Sequence, residues 1–244
     1  MTFANRVAVV TGGAGRVGRP LCEKLASAGV AVAVVDINAE GAEAEAEKIR
    51  QSGGKARGYG MDIQSTESVR DASARILADF GRCDILINNA GVWRRQLIEE
   101  MDEELWNFHI NLNLNGVFRV TKAFLPGMLE RGYGRIVNVG SIAGEVGLPF
   151  FGAYATSKAG VKIFTQTLAM EVAKRGITVN SVSPGMIGDS PSGPIKQTWV
   201  ERWGTGPEVA DVIMFLAADE ASFITGANYA VDGGRTLGPR FADV

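Results

Sequence analysis

The chain has 244 residues, 46% hydrophobic and 21% charged, with a formal net charge of -2, a composition that suits one α/β unit able to bury a substantial core. The near-neutral balance gives no electrostatic case for binding nucleic acid or an acidic membrane surface. Cys22 and Cys83 form neither a metal-ligand spacing nor a disulfide framework, and the opening MTFANR leads into an apolar run too short for a signal or spanning segment, so a cytoplasmic protein with no metal, nucleic-acid or membrane partner is expected.

Apolar runs of strand length alternate with segments of helical period. Strands are expected over Val7–Val10, Val30–Val35, Ala56–Gly60, Ile85–Ile87, Arg135–Val139 and Thr178–Val182. Helices are expected over Arg19–Ala28, Ala39–Ser52, Glu67–Phe80, Glu103–Arg131, Ala153–Arg175 and Pro207–Ala218. Strands apolar on both faces and separated by helices predict a parallel sheet covered on both sides. Right-handed crossovers would wind it into a doubly wound, Rossmann-type α/β fold. Nothing marks a linker, so residues 1–244 are expected to form a single domain. Residues 185–206, rich in Gly, Pro, Ser and Trp, read as a mobile substrate lid.

The first strand runs into Thr11–Gly18, TGGAGRVG, and then into a helix. Glycines at such a junction let the backbone turn tightly and approach a pyrophosphate, whose charge sits at the helix N-terminus. Gly13, Gly15 and Gly18 satisfy GxGxxG in this setting, and the expected contacts are Gly12, Gly15, Arg16, Val17 and Gly18. Arg16 raises the question of a 2′-phosphate. Asp36 answers it: a carboxylate at the end of the second strand, eighteen residues beyond Gly18, can accept both ribose hydroxyl hydrogens of NAD and would repel that phosphate. NAD(H) is therefore favoured, with NADP(H) left open by Arg16. The competing role for Asp36 is a turn or helix cap before Ala39. Asp62, after the third strand, reads equally as an adenine contact or a turn residue. Ile37 and Ile63 adjoin these carboxylates and belong to the same expected site.

Tyr154 and Lys158, in AYATSK, lie four residues apart and share one face of a helix. A phenol titrates near ~10, so acid–base work near neutral pH requires a shift of roughly three units, or about 4 kcal/mol. A neighbouring ammonium and a cationic nicotinamide would both favour the phenolate.

Further motifs appear in order: Asn88-Asn-Ala-Gly91, Asn113-Leu-Asn-Gly-Val-Phe118, Asn138-Val-Gly-Ser141, Ser183-Pro-Gly185, and Thr225-Gly226 with Val231-Asp-Gly-Gly234. With these, the sequence resembles the short-chain dehydrogenase/reductase family over nearly its whole length. The resemblance implies that Tyr154 is the general acid/base and that Lys158 lowers its pKa while holding the nicotinamide ribose. It implies that Ser141 hydrogen-bonds the substrate oxygen and that Asn113 holds a proton-relaying water, with register against Val117-Phe118 deciding between Asn113 and its neighbours Asn111 and Asn115. Asn89, Ala90 and Gly91, then Pro184, Gly185 and Ile187, would border the cofactor, and a homotetramer or dimer is expected. Two departures stand out: Arg16 occupies a position where a glycine is usual, and Asp189 stands where a threonine often binds the carboxamide, with Ser190 as a possible substitute.

Trp93, Arg94, Glu145, Phe150, Phe151, Met186 and Trp199 lie near these motifs and point to an apolar or aromatic substrate. His109, the only histidine, reads as a helix-surface or interface residue. The expected activity is NAD(H)-dependent interconversion of a secondary alcohol and a ketone. The alternatives are a 3-oxoacyl-carrier-protein reductase using NADPH, an epimerase or lyase on the same fold, and a non-catalytic cofactor-binding sensor. Intact Ser141, Tyr154 and Lys158 count against the last, and net cofactor turnover separates a dehydrogenase from an epimerase.

Overall fold

β-Branched residues suit a pleat buried on both faces, and β1 (Val7–Thr11, VAVVT) is buried at every position. The computed structural model describes residues 1–3, 5–188 and 195–238. Among these, β1 joins β2 (Ala31–Asp36), β3 (Ala56–Gly60), β4 (Ile85–Asn88), β5 (Gly134–Val139), β6 (Ile177–Pro184) and β7 (Asn228–Val231) in one sheet. All pairings are parallel, in the order β3-β2-β1-β4-β5-β6-β7. The chain builds outward from β1 to β3 and then crosses to β4 on the other side of β1. That reversal opens a crevice at the C-terminal ends of β1 and β4.

The helices are α1 (Gly18–Ser27), α2 (Ala39–Gln51), α3 (Thr66–Phe80), α4 (Glu103–Ile110), α5 (Gly116–Arg131), α6 (Gly152–Val172) and α7 (Gly206–Ala217). Their starts follow local chemistry: Asn38, Ser65 and Asp102 each accept a backbone N–H from the first turn, and Thr205 and Glu208 form a capping box with Pro207 beside it. Alternate strand residues fill two cores. Ala8, Val10, Val32 and Val34 pack with α1, α2 and α7, while Val9, Ala33, Val35 and Leu86 pack with α3, α5 and α6.

A buried polar row ties the sheet to the second helix layer. Asn88 Nδ2 donates to Thr121 Oγ1 (3.0 Å) and Asn138 Oδ1 (2.8 Å), and Asn138 Nδ2 donates to Thr165 Oγ1 (2.9 Å). These bonds fix β4 and β5 against α5 and α6, the elements that carry the reactive side chains. No helix among the described residues is long and apolar enough to cross a membrane.

Two elements differ from expectation. The helix expected over Glu103–Arg131 is broken by a π-helical segment, Asn111–Asn115, in which the Gly116 N–H reaches back to Asn111 O. β7 was not expected as a strand, because four residues at the sheet edge, half of them exposed, carry too short an apolar signal.

Candidate active site

The crevice is a cleft of about 500 Å³ running from Asp36 to Tyr154. Its floor is the turn between β1 and α1. Gly12 has φ +63°, and a Cβ there would lie 2.9 Å from Ala90 Cα; a Cβ on Gly18 would lie 2.1 Å from Gly12 O. Gly18 therefore shapes the turn without lining the cleft, whereas Gly12, Gly15, Arg16 and Val17 line it. α1 begins with neither a side-chain cap nor an acidic first turn, which leaves its positive end suited to a phosphate.

The Asn-Asn-Ala-Gly stretch locks this turn. Asn89 Nδ2 donates to the carbonyls of Thr11 and Gly12 (both 3.0 Å), and the Asn89 and Ala90 N–H groups donate to Thr11 Oγ1 at 3.0 and 3.1 Å. Thr11, not singled out from the sequence, thus organises the loop; its place where strand meets glycines was the available signal. Asp36 is fixed at the far end, accepting from Ala14 N (3.2 Å) and Asn38 N (3.1 Å). It lines the cleft with Ile37, Asp62 and Ile63, so cleft and turn roles coexist. Asp62 likewise accepts from Gln64 N (2.9 Å) while facing the cleft. Arg16 Nη1 donates to Ile187 O (3.0 Å), which ties one edge of the guanidinium to the segment after β6 while the residue still lines the cleft. Ala90, Gly91, Pro184, Gly185 and Ile187 complete the expected lining. Val35, Met61, Val92, Leu112, Val139 and Gly140 also face the cleft and were not expected. Asp189 and Ser190, and with them residues 189–194 of the expected lid, lie outside the described residues. The described part of that segment is pinned by Gly188 N to Gly204 O (3.0 Å) and Gly204 N to Met186 O (2.9 Å).

At the other end, β5 delivers Ser141 and α6 delivers Tyr154 and Lys158. Lys158 is 4% exposed. Its Nζ donates to Val139 O (2.7 Å) and lies 5.9 Å from the Tyr154 ring centroid. Burial lowers its pKa to about 8. Ser141 Oγ accepts from Ala143 N (3.1 Å). Burial raises the Tyr154 pKa, and a hydrogen bond with Ser141 pulls the other way. The phenol of the protein alone is therefore shifted opposite to the expected lowering by Lys158. Lys158 is withdrawn from water and Tyr154 is half-buried at the cleft wall, and the ammonium spends its short hydrogen bond on a backbone carbonyl.

Of the three candidate asparagines, the π-segment turns only Asn113 toward the site. Asn111 Oδ1 accepts from Arg119 (2.8 Å), and Asn115 faces a groove between α3 and α5. Asn113 is fully buried. Its amide accepts from Val92 N (3.1 Å) and donates to Val92 O (3.0 Å) rather than standing in the cleft. Gly91 passes between Asn113 and Lys158, where a Cβ would lie 3.0 and 3.2 Å from their polar atoms.

On the substrate side only Trp93 of the expected residues lines the cleft. Its ring lies 5.7 Å from that of Phe151, which is 6.1 Å from Tyr154. Glu145 is drawn away, pairing with Lys162 and accepting from Asn228 Nδ2 (3.0 Å). Met186 Sδ meets Arg235 Nη1 at 2.9 Å, and Trp199 sits on Gly233–Gly234. His109 is fully buried rather than on a surface. Its Nε2 accepts from Arg94 N (3.0 Å) and Nδ1 faces Leu105 O (2.9 Å), the arrangement of a neutral ring donating through Nδ1.

Residues 6–198 match the sequence model of the short chain dehydrogenases. The chain is 38% identical over 243 residues to the 3-oxoacyl-acyl-carrier-protein reductase of Escherichia coli (strain K12), covering 96% of this chain and 98% of that one. The enzyme of the same description from Pseudomonas aeruginosa is 37% identical with the same coverage. Among solved structures, the crystal structure of gox2181 superposes with a TM-score of 0.92 at 37% identity, covering 97% of this chain and 98% of that one.

The buried lysine has a measurable signature. Its pKa falls from 10.5 to about 8 on folding, so between those values the unfolded chain binds more protons and stability rises with pH. Below the window both states are protonated, and above it both are neutral. Relative to Lys158→Met, the wild type is expected to gain about 3 kcal/mol between the two ends of that window in denaturant unfolding. A difference that does not vary with pH would contradict the buried ammonium.

Proposed function

The chain belongs to the short-chain dehydrogenase family and is an NAD(P)-dependent oxidoreductase of CH–OH and keto groups; on that premise we propose that it interconverts a secondary alcohol and a ketone, with Tyr154 as general acid/base and NAD(H) as the preferred cofactor. The observation that carries the reading is the convergence of Ser141, Tyr154 and Lys158 on one end of a cleft whose other end is the Asp36 carboxylate.

The residues fit a dinucleotide. Gly12, Gly15 and the open start of α1 would hold its pyrophosphate, Asp36 its adenosine ribose, and Tyr154 and Lys158 its nicotinamide ribose. When bound, the cofactor supplies or takes up the hydride. In the reducing direction the Tyr154 phenol donates its proton to the carbonyl oxygen, and the Ser141 hydroxyl donates a hydrogen bond to the same oxygen. The raised phenol pKa keeps that proton in place until charge develops. Lys158 then stabilises the phenolate and, with a pKa of about 8, exchanges protons near neutral pH. In the oxidising direction Tyr154 must act as base, and Lys158, beside a bound oxidised nicotinamide, would lower its pKa. Asp36 favours NAD(H) because its carboxylate repels a 2′-phosphate.

A second reading, reduction of a 3-oxoacyl thioester, rests on what the Escherichia coli and Pseudomonas aeruginosa relatives are described as doing. A panel of ketones, secondary alcohols and 3-oxoacyl thioesters, assayed with NADH and NADPH, separates the two.

Tyr154→Phe is expected to bind NADH within a few-fold of wild type while losing roughly 10²–10⁴-fold in turnover; undiminished turnover would remove Tyr154 from the mechanism. Asp36→Ala is expected to lower the kcat/KM ratio of NADH over NADPH by about tenfold or more. A wild type that already prefers NADPH would overturn the role given to Asp36.

A further inference from the structure

The loop after Gly91 is clamped at every second residue. Val92 is bonded through both N–H and carbonyl to Asn113, Arg94 N donates to His109 Nε2 (3.0 Å), and Gln96 N donates to Phe150 O (2.9 Å). The alternate residues, Trp93 and Arg95, are exposed and converge on one ring. Trp93 lies 5.7 Å from the Phe151 centroid, and the Arg95 guanidinium carbon lies 5.7 Å from it and 5.1 Å from that of Phe150. Phe151 in turn is 6.1 Å from Tyr154. Phe150 is held at φ +69°, a conformation unfavourable to a bulky residue and concentrated where the surrounding structure requires it.

Arg95 has no carboxylate within ion-pair distance among the described residues, although Glu99, Glu100, Glu103 and Glu104 follow it in sequence. Contact with a ring face leaves the N–H donors at the guanidinium edge unused. Those donors form a planar fork matched to a carboxylate or phosphate. The acidic run that follows offsets the charge at a distance, so recognition here is by contact rather than by long-range attraction.

We propose that Arg95, which lies outside the cleft lining beyond Trp93, binds an anionic group, carboxylate or phosphate, on the far end of the substrate, whose flat apolar body leaves the cleft past Trp93 and Phe151 between that group and the carbonyl at Tyr154. This rests on the oxidoreductase reading above and adds a substrate class to it.

Three matched ketones test the assignment: 4-acetylbenzoate, 4-acetylphenyl phosphate and the neutral methyl 4-acetylbenzoate. They are assayed for reduction, and for binding through tryptophan fluorescence with the dinucleotide present. At least one anionic probe is expected to exceed the ester about tenfold in kcat/KM, mainly through KM, and the better of the two identifies the group. Arg95→Gln is expected to bring the three together, and Arg95→Lys to restore part of the preference. Lys55→Gln, which removes a positive charge beside β3, is expected to keep it. Anionic probes no better than the ester, or a preference that survives Arg95→Gln, would overturn the assignment while ester reduction left the oxidoreductase reading intact. If no probe is reduced, that reading loses support for this ketone class and binding decides. Arg95-dependent quenching by an anionic probe but not by the ester upholds the anion site, and its absence refutes it.

Discussion

Keeping the Lys158 ammonium out of water is the constraint around which this end of the molecule is organised. A buried cation is costly unless it is hydrogen-bonded, and the protein supplies Val139 O at 2.7 Å. To bring the side chain there, α6 must lie close to the loop after Ser141. Gly144 permits it, since a Cβ would meet the Lys158 backbone at 2.7 Å. Gly91 permits the same approach from the other side, beside Asn113. The polar row Thr121–Asn88–Asn138–Thr165 then fixes the strands beneath. Burying the ammonium costs stability at this point, as is common at functional sites.

The two ends of the cleft are set by different physics. At the glycine turn the determinants are steric: glycines lie where side chains would collide with Ala90 or Gly12, and Asn89 staples the turn through main-chain carbonyls. At the Tyr154 end they are electrostatic, with a phenol pushed toward its neutral form by burial and an ammonium weakened by the same cause. Family membership and the 0.92 superposition account for the frame. In the reading proposed above, the choice of cofactor and substrate falls to Asp36 and the loop at Trp93–Arg95.

Most of this frame was legible in the sequence because strand burial and glycine spacing are local signals. VAVVT reads as a strand buried on both faces, and TGGAGRVG reads as a turn before a helix whatever surrounds it. What escaped depends on partners distant in sequence. The π-segment at Asn111–Asn115 keeps helical composition and period, so its register change leaves no mark. Arg16 was placed correctly in the loop, but its direction depends on Ile187. Glu145 lies near the motifs, yet Lys162 and Asn228 draw it aside. His109 shows no sign of burial until the Arg94 N–H is seen to need an acceptor. The raised Tyr154 pKa of the protein alone leaves no mark for a similar reason, because the i,i+4 spacing reveals the neighbouring lysine but not the desolvation of the phenol.

The most direct test of the account is the ionisation of Tyr154 itself, followed by NMR of tyrosine labelled with carbon-13 at Cζ and assigned through Tyr154→Phe. The account predicts that the phenol of the protein alone titrates above an ordinary tyrosine, and that its pKa falls once oxidised dinucleotide is bound beside Lys158. A phenol already titrating near neutrality in the protein alone, or one unmoved by the dinucleotide, would contradict it.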